Sequence, residues 1–193
     1  MKRFCLLTLT ACGLVLSAMV LRPATGQEKG AVESAVPSGE SLAKSLQTWQ
    51  ELKVKCGGNY SYTVAFASWV GFGHSTEIVV RNNKVVERKY VEFNRNAPPP
   101  PPEPGKTPGE KWTERGEQLG SHNEGAPLKT LDDLYKEAQK VLATKFSPEQ
   151  RLYVRFDKQG LLESCFYVDT RIADDAPRKG VAIGNIRLEL PKK

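Results

Sequence analysis

The sequence contains few of the side chains from which metal sites and nucleophilic sites are built. Its 193 residues include only two histidines, His74 and His122, and four cysteines. Each histidine follows closely after a glycine in a predicted loop, and no nearby residue supplies a metal-ligand partner at a typical spacing. Phosphate-binding, dinucleotide-binding, zinc-protease, EF-hand and nucleophile-elbow motifs are also absent. We therefore predict no cofactor and assign no catalytic residue.

The N-terminal segment has the pattern of an export signal. Lys2 and Arg3 precede an almost wholly apolar or small run over residues 4–21. Ala24 and Gly26 then supply the small residues that signal peptidase requires. We predict a signal peptide over residues 1–26 and export through the secretory pathway to the periplasm or the medium.

Two alternatives to cleavage after Gly26 remain open. The apolar run is about long enough to span a bilayer, so it would also suit an uncleaved anchor. Leu9-Thr10-Ala11-Cys12 resembles a lipoprotein box, in which Cys12 would carry the lipid. With cleavage at Gly26, no transmembrane segment is predicted in the mature chain.

Removal of the signal changes the charge and the cysteine count. It takes away Lys2, Arg3 and Arg22 but no acid, which lowers the formal net charge from +6 to +3. So small an excess does not indicate a nucleic-acid partner.

Cys5 and Cys12 leave with the signal, and Cys56 and Cys165 remain as an even pair in an oxidising compartment. We predict a disulfide between Cys56 and Cys165. The alternative is two separate buried thiols.

The first half of the mature chain reads as one helix followed by three strands. Residues 27–40 are polar and small and are predicted to be a flexible leader to a single domain over residues 41–190. Ser41 is predicted to cap a helix that runs to about residue 55 and carries an apolar stripe of Leu42, Leu46, Trp49 and Leu52. Strands are predicted over residues 60–70, 76–81 and 84–93, separated by turns at Gly71-Phe72-Gly73 and Asn82-Asn83.

Residues 94–127 interrupt this pattern. The segment has little apolar content and contains a run of consecutive prolines, Pro98, Pro99, Pro100, Pro101 and Pro102. Consecutive prolines favour a polyproline II rod and cannot join a sheet ladder. We predict an exposed excursion, in which these five prolines either dock a partner with an aromatic groove or act as a plain spacer.

The second half repeats the order of helix and strands. Thr130-Leu131-Asp132-Asp133 resembles a capping box, and a clear helical stripe follows it. Strands are predicted over residues 151–157, 161–169 and 181–190. The fold class is therefore α+β: an antiparallel sheet with two helices packed on one face, arranged as tandem helix-plus-meander halves.

Four acids near the last strands are the best candidates for a metal site: Asp157, Asp169, Asp174 and Asp175. A calcium site needs six to eight oxygens from one pocket. Antiparallel pairing would instead place Asp169 near Arg151 and away from Asp157. We favour capping and salt-bridging roles for these acids over a calcium site.

Several short motifs occur in the order found in one family of exported bacterial proteins. They are Trp49, Tyr60-Ser61-Tyr62, the hairpin at residues 80–85, residues 130–135, residues 156–160, and Asp169 followed by Asp174-Asp175. The chain resembles the family known as the domain of unknown function numbered sixty-one seventy-four. The resemblance covers most of residues 41–190. It implies a bacterial origin and an α+β fold, and it brings no catalytic residue.

Two functions remain open at this point. The first is an exported, non-enzymatic binding or envelope-associated module whose sheet face contacts a protein or another component of the cell envelope. The second is an exported hydrolase-like enzyme that uses Asp157, Asp169 or His74 in a site assembled only by the fold. The aromatic residues of the strands, such as Tyr60, would then belong either to the core or to an exposed face that grips a partner.

Overall fold

A computed structural model describes residues 39–98, 100, 101, 103–172 and 176–191. The predicted signal peptide, the predicted leader up to residue 38, and Pro99, Pro102, Asp174 and Asp175 lie outside the described residues. None of the helices in the described ranges is long and apolar enough to cross a membrane.

The described chain contains two helices and eight strands. Helix α1 spans Gly39–Lys55, so it begins before the predicted cap Ser41 and takes in the last two residues of the predicted leader. Helix α2 spans Leu131–Leu142. The strands are β1 (Tyr60–Ala67), β2 (Phe72–Arg81), β3 (Lys84–Asn94), β4 (Glu110–Arg115), β5 (Gln150–Phe156), β6 (Leu162–Asp169), β7 (Lys179–Ala182) and β8 (Gly184–Leu188). A short 3-10 helix, Gly116–Gln118, follows β4.

The strands form two antiparallel sheets. One has the order β4-β3-β2-β1-β8, and the other has the order β5-β6-β7. Only Ile183 separates β7 from β8, so one continuous stretch of chain links the two sheets. The predicted α+β class is confirmed, while the strands lie in two sheets where the sequence pattern predicted one.

Both helices pack against one face of this strand system, called here the inner face. Helix α1 contacts α2 and β6, and α2 contacts β6 and β7. Every second residue of a strand points toward the helices and into the core, because successive side chains of a strand lie on opposite faces. The core includes Tyr60 and Tyr62 of β1, Ile78 and Val80 of β2, Cys165 of β6 and Val181 of β7.

Two short sequence motifs, the Asn82-Asn83 turn and the capping box at Thr130, adopt the structures predicted for them. Asn82 and Asn83 adopt φ values of 49° and 64° and close the β2–β3 hairpin. Thr130 caps α2: its hydroxyl accepts a hydrogen bond from the Asp133 amide, and the Asp133 carboxylate accepts one from the Thr130 amide. The capping box therefore fixes where α2 begins.

The predicted excursion over residues 94–127 is more ordered than its composition indicates. Strand β4 lies within it and pairs with β3 at the edge of the five-stranded sheet. Glu114 of β4 and Ala126 are buried. Its prolines lie before or after β4 in the sequence, so none of them interrupts the pairing.

The predicted Cys56–Cys165 disulfide is not formed, and that prediction is wrong. Both cysteines are free and buried. Cys56 lies after the end of α1, where its thiol donates to the Lys53 carbonyl at 3.5 Å. Cys165 lies on β6, where its thiol faces the Ala138 carbonyl of α2 at 3.6 Å. Each packs as a small apolar side chain in the core, which is the alternative that the sequence left open.

The buried thiols should be unreactive in the folded protein. Burial raises the pKa of the Cys165 thiol to about 11, so little thiolate forms at about pH 8. We expect iodoacetamide to leave Cys165 unmodified in the native protein and to modify both Cys56 and Cys165 in denaturant without reductant. Mass spectrometry of the tryptic peptides measures this. A disulfide would instead keep both peptides unmodified until a reductant is added.

Candidate functional site

The turn between β1 and β2 carries an exposed apolar cluster. Trp69 is 86% exposed and Phe72 is 54% exposed, and Phe66 and Val70 beside them are also largely open to solvent. We call these four residues the apolar tip. Large apolar side chains grouped at one end of a sheet are typical of an interaction surface, whereas single exposed ones are common on any protein.

The backbone of the apolar tip is held firmly. The Ser68 amide donates to the Phe72 carbonyl at 2.9 Å, which closes the turn. The chain after β3 braces it from the side, because the Asn96 side-chain amide donates to the Val70 carbonyl at 2.8 Å. At Gly71 the φ is +96°, and an added Cβ would lie 2.7 Å from the Asn96 amide nitrogen. Trp69 and its neighbours are therefore displayed on an ordered turn.

A groove of about 780 Å³ adjoins the apolar tip, and Phe72 lines it. We call it the tip groove. Its walls come from β2, β3 and the proline-rich loop, and they include His74, Tyr90, Phe93, Pro98, Pro100 and Pro108. Glu92 and Lys111 add one ion pair, with 3.2 Å between the Lys111 ammonium and a Glu92 carboxylate oxygen. The walls are mainly aromatic and proline side chains, with a few polar groups.

A row of stacked rings crosses the sheet from the apolar tip. Phe66, His74, Tyr90, Trp112 and His122 lie in sequence, with successive ring centroids 5.5, 5.4, 5.2 and 4.5 Å apart. We call this the aromatic row. The first four rings come from β1, β2, β3 and β4. Phe66 lies opposite His74, and Tyr90 lies opposite Trp112. His74 and Tyr90 are diagonal neighbours, since the register pairs Tyr90 with Thr76. The row therefore crosses four strands, from the apolar tip to the β4 edge of the five-stranded sheet.

A buried ion pair lies at the far end of the aromatic row. Arg88 of β3 and Glu114 of β4 face each other across the strands, and the exposed fractions of their side chains are 5% and 1%. The guanidinium donates two parallel hydrogen bonds to the carboxylate, at 2.8 and 2.9 Å. It also lies 4.7 Å from the centroid of the Trp112 ring, which is a cation–π contact.

The same carboxylate fastens the segment after β4 over the sheet. Glu114 accepts hydrogen bonds from the Gly120 amide at 2.7 Å and the His122 amide at 2.6 Å. Burial by itself would raise the pKa of Glu114, but the hydrogen bonds from Arg88 and these amides outweigh burial and hold the pKa well below its usual range. Glu114 is therefore ionised and positions His122 against Trp112.

Tyr90 supplies a hydrogen-bond donor inside the tip groove. Partial burial raises the pKa of Tyr90, and the nearby carboxylates of Glu92 and Glu124 raise it further. Its hydroxyl therefore stays protonated. His74 lies opposite Glu92 in the β2–β3 register, and its Nδ1 atom is buried without a hydrogen-bond partner among the described residues.

Two of the five predicted docking prolines lie at the tip groove. Pro98 and Pro100 line it, and Pro101 with Pro100 lines a smaller groove beside Lys106. Pro99 and Pro102 lie outside the described residues. Both histidines were predicted to lie in loops, but His74 lies on β2, and His74 and His122 both belong to the aromatic row.

The described acidic candidates do not come together. Asp157 caps its own turn, where it accepts hydrogen bonds from the amides of Gln159 and Leu161. Asp169 lies opposite Gln150, one residue away in register from the predicted neighbour Arg151. Its ion pair is instead with Arg171, at 2.6 Å. Within the described ranges, no three His, Cys, Asp or Glu side chains are grouped to hold a metal ion.

The sequence did not single out the apolar tip, Glu92 or the Arg88–Glu114 pair. One signal could have found the tip: Trp69 and Phe72 flank a glycine in a turn, where polar residues are the rule. Comparisons with protein families, with curated proteins and with solved structures find no match to this chain.

Proposed function

We propose that this protein is a non-enzymatic binding module whose apolar tip and tip groove dock an extended, apolar segment of a partner protein. The observation that carries the proposal is the continuity of these two features. Phe72 belongs to both, so the exposed side chains of Trp69 and Val70 lead directly into a groove walled by aromatic and proline residues.

The firmness of the turn favours binding over an accidental exposure of apolar side chains. A partner that binds an ordered surface does not have to order it first, so less conformational entropy opposes association. Tryptophan is among the residues that most often dominate the binding energy of protein interfaces. Trp69 on a hydrogen-bonded turn has both properties.

The polar groups of the tip groove suit a peptide backbone. The Tyr90 hydroxyl and the unpartnered Nδ1 atom of His74 are two hydrogen-bonding positions in the groove. Glu92 and Lys111 neutralise each other, and the one further charged residue among the described lining residues is Arg95, whose guanidinium lies over the Phe93 ring. An extended segment with alternating apolar side chains fits this combination.

The proposed setting is outside the cytoplasm. The pattern of Lys2, Arg3 and the apolar run over residues 4–21 supports export, and Ala24 and Gly26 support cleavage. The partner would then be another exported or envelope-associated protein. The resemblance to the family of exported bacterial proteins supports the same setting.

The enzyme alternative has less support. An enzyme of this kind needs a general base that has either an acid to orient it or a nucleophile within hydrogen-bonding distance. The Nδ1 atom of His74 has no such partner among the described residues, and Asp157 and Asp169 are engaged in their own turns.

Peptides selected by display against the purified protein provide the test. We expect Trp69→Ala and Phe72→Ala each to weaken binding of a selected peptide by roughly tenfold or more, because each removes an exposed anchor. Isothermal titration calorimetry measures the dissociation constants.

Val54→Ala is the matched control, since Val54 is a comparably exposed apolar residue on α1 and should leave the affinity unchanged. Equal binding by the Trp69→Ala and Phe72→Ala variants would place the ligand elsewhere and contradict the proposal. Turnover of a hydrolase substrate that His74→Ala abolishes would favour the enzyme.

A further inference from the structure

A second groove, of about 350 Å³, lies where the two sheets meet. We call it the junction groove. Its walls come from β1, β5, β6 and the β7–β8 segment, and the residues that matter are Tyr153, Arg155, Ser164, Phe166, Arg178 and Asn185. On β5 and β6 the neighbours Val154 and Cys165 point into the core, so this groove faces away from the helices. No residue lines both this groove and the tip groove.

Ser164 is an unpartnered polar group in this groove. Its side chain is buried, with only 7% of the residue exposed, and its hydroxyl has no hydrogen-bond partner in the described part of the chain. Buried hydroxyls are normally paired, because burial without a partner is unfavourable. A ligand in the junction groove would supply the missing partner.

The charges of the junction groove favour an anion. Arg155 and Arg178 line it with one acid, Glu163, whose carboxylate lies 3.5 Å from Nε of Arg155. The lining is therefore net positive. A guanidinium presents a planar fork of N–H donors that matches the oxygens of a carboxylate or a phosphate.

Aromatic side chains lie beside these charges. Tyr153 stacks on Phe166 with 5.4 Å between ring centroids, and the Arg178 guanidinium lies 5.3 Å from the centroid of Phe166. Tyr153 is 40% exposed, so its ring is accessible to a planar group. Asn185 has a φ of 51°, and the β1–β8 register shifts beside it, so a β-bulge interrupts the strand pairing at this point.

We propose that the junction groove binds a small anionic ligand with a planar apolar body. Arg155 and Arg178 hold its carboxylate or phosphate group, the Ser164 hydroxyl donates a hydrogen bond to it, and Tyr153 packs against the planar part. This site is independent of partner docking at the apolar tip. Carboxylate and phosphate share the recognition chemistry, and the choice between them is an outcome of the test.

The experiment titrates the purified protein with benzoate, phenyl phosphate and the neutral analogue benzamide, and follows amide signals by NMR. We expect saturable shifts around Ser164 and Gly184 with one or both anions, and binding of benzamide at least roughly tenfold weaker. The tighter anion identifies the preferred group. No saturable shift with either anion at millimolar concentration, or equally tight binding of benzamide, would overturn the proposal.

Three variants separate binding from structure. Arg178→Gln should weaken anion binding by roughly tenfold or more, while Arg187→Gln, the same charge change at an exposed residue outside the groove, should not. Ser164→Ala should weaken binding by a similar factor and leave the Tm of the free protein unchanged or higher, since it removes an unpaired hydroxyl. A lower Tm with unchanged binding would show a structural serine, and equal losses in both arginine variants would show non-specific attraction. Either result would contradict the site.

Discussion

Replacement of Glu114 by alanine is expected to lower the free energy of unfolding by about 3–5 kcal/mol. The substitution leaves the Arg88 guanidinium buried without its carboxylate, and an uncompensated buried charge is strongly destabilising. It also frees the amides of Gly120 and His122 that Glu114 holds. The segment after β4 should loosen, and the stacking of His122 on Trp112 should weaken with it.

Urea unfolding followed by circular dichroism measures this loss. Glu117→Ala is the control, because Glu117 is exposed in the turn that follows β4. It should change the stability by less than about 0.5 kcal/mol. An equal, small effect of both substitutions would mean that the Arg88–Glu114 pair does not hold the fold at this edge.

The same carboxylate predicts a loss of stability in acid. The pKa of Glu114 is lower in the folded protein than its usual value of 4.5, so the folded state favours the ionised form. Its contribution is fully present above about pH 4.5 and is lost as the pH falls below that value, when the unfolded chain binds the proton first. Stability measured between neutral and acidic pH should therefore decline more steeply for the native sequence than for Glu114→Gln.

The second large effect is expected from Trp49→Ala, which should cost about 3–5 kcal/mol. Trp49 is fully buried, and its ring meets Tyr60 edge-on with 4.9 Å between centroids. Its indole N–H donates to the Asp132 carboxylate at the start of α2, at 3.3 Å. The substitution leaves a cavity between α1 and β1 and breaks one of the hydrogen bonds that join the two helices.

Trp69→Ala makes the same chemical change on the surface. Because Trp69 is 86% exposed, it should alter the free energy of unfolding by less than about 0.5 kcal/mol. The pair of variants thus separates a core tryptophan from a proposed binding tryptophan under one denaturation protocol. A large destabilisation by Trp69→Ala would show that the apolar tip serves the fold.

The features that sequence predicts well are those fixed by neighbouring residues. Asn82-Asn83 can adopt positive φ, so the hairpin at that point follows from two residues. Thr130 and Asp133 cap α2 by hydrogen bonds within one turn, and the helical stripe that contains Trp49 follows from spacing alone.

The features that sequence misses depend on residues far apart in the chain. Strand β4 follows a proline-rich stretch and carries Glu114, whose burial is tolerable only because Arg88 lies opposite it on β3. The error at Cys56 and Cys165 has the same origin. An even cysteine count indicates a disulfide in an exported protein, but only the fold shows one thiol after α1 and the other on β6.

The candidate site was only partly foreseeable for a related reason. Pro98 and Pro100 stand out in the sequence, whereas the groove that they line needs β2 and β3 as its other walls. Residues 71–73 were predicted to form a turn or a bulge, and β2 in fact begins at Phe72. Trp69 lies in the turn before it, and the side chain that braces this turn, Asn96, comes from the chain after β3.

The indole N–H signals of the three tryptophans test the central claim most directly. They can be followed by two-dimensional NMR while a selected peptide is added, and the Trp69→Ala variant assigns the exposed one. We expect the Trp69 signal to shift in a saturable manner, while the signal of the buried Trp49 stays in place. A peptide that binds without moving the Trp69 signal would show that the apolar tip is not the docking surface.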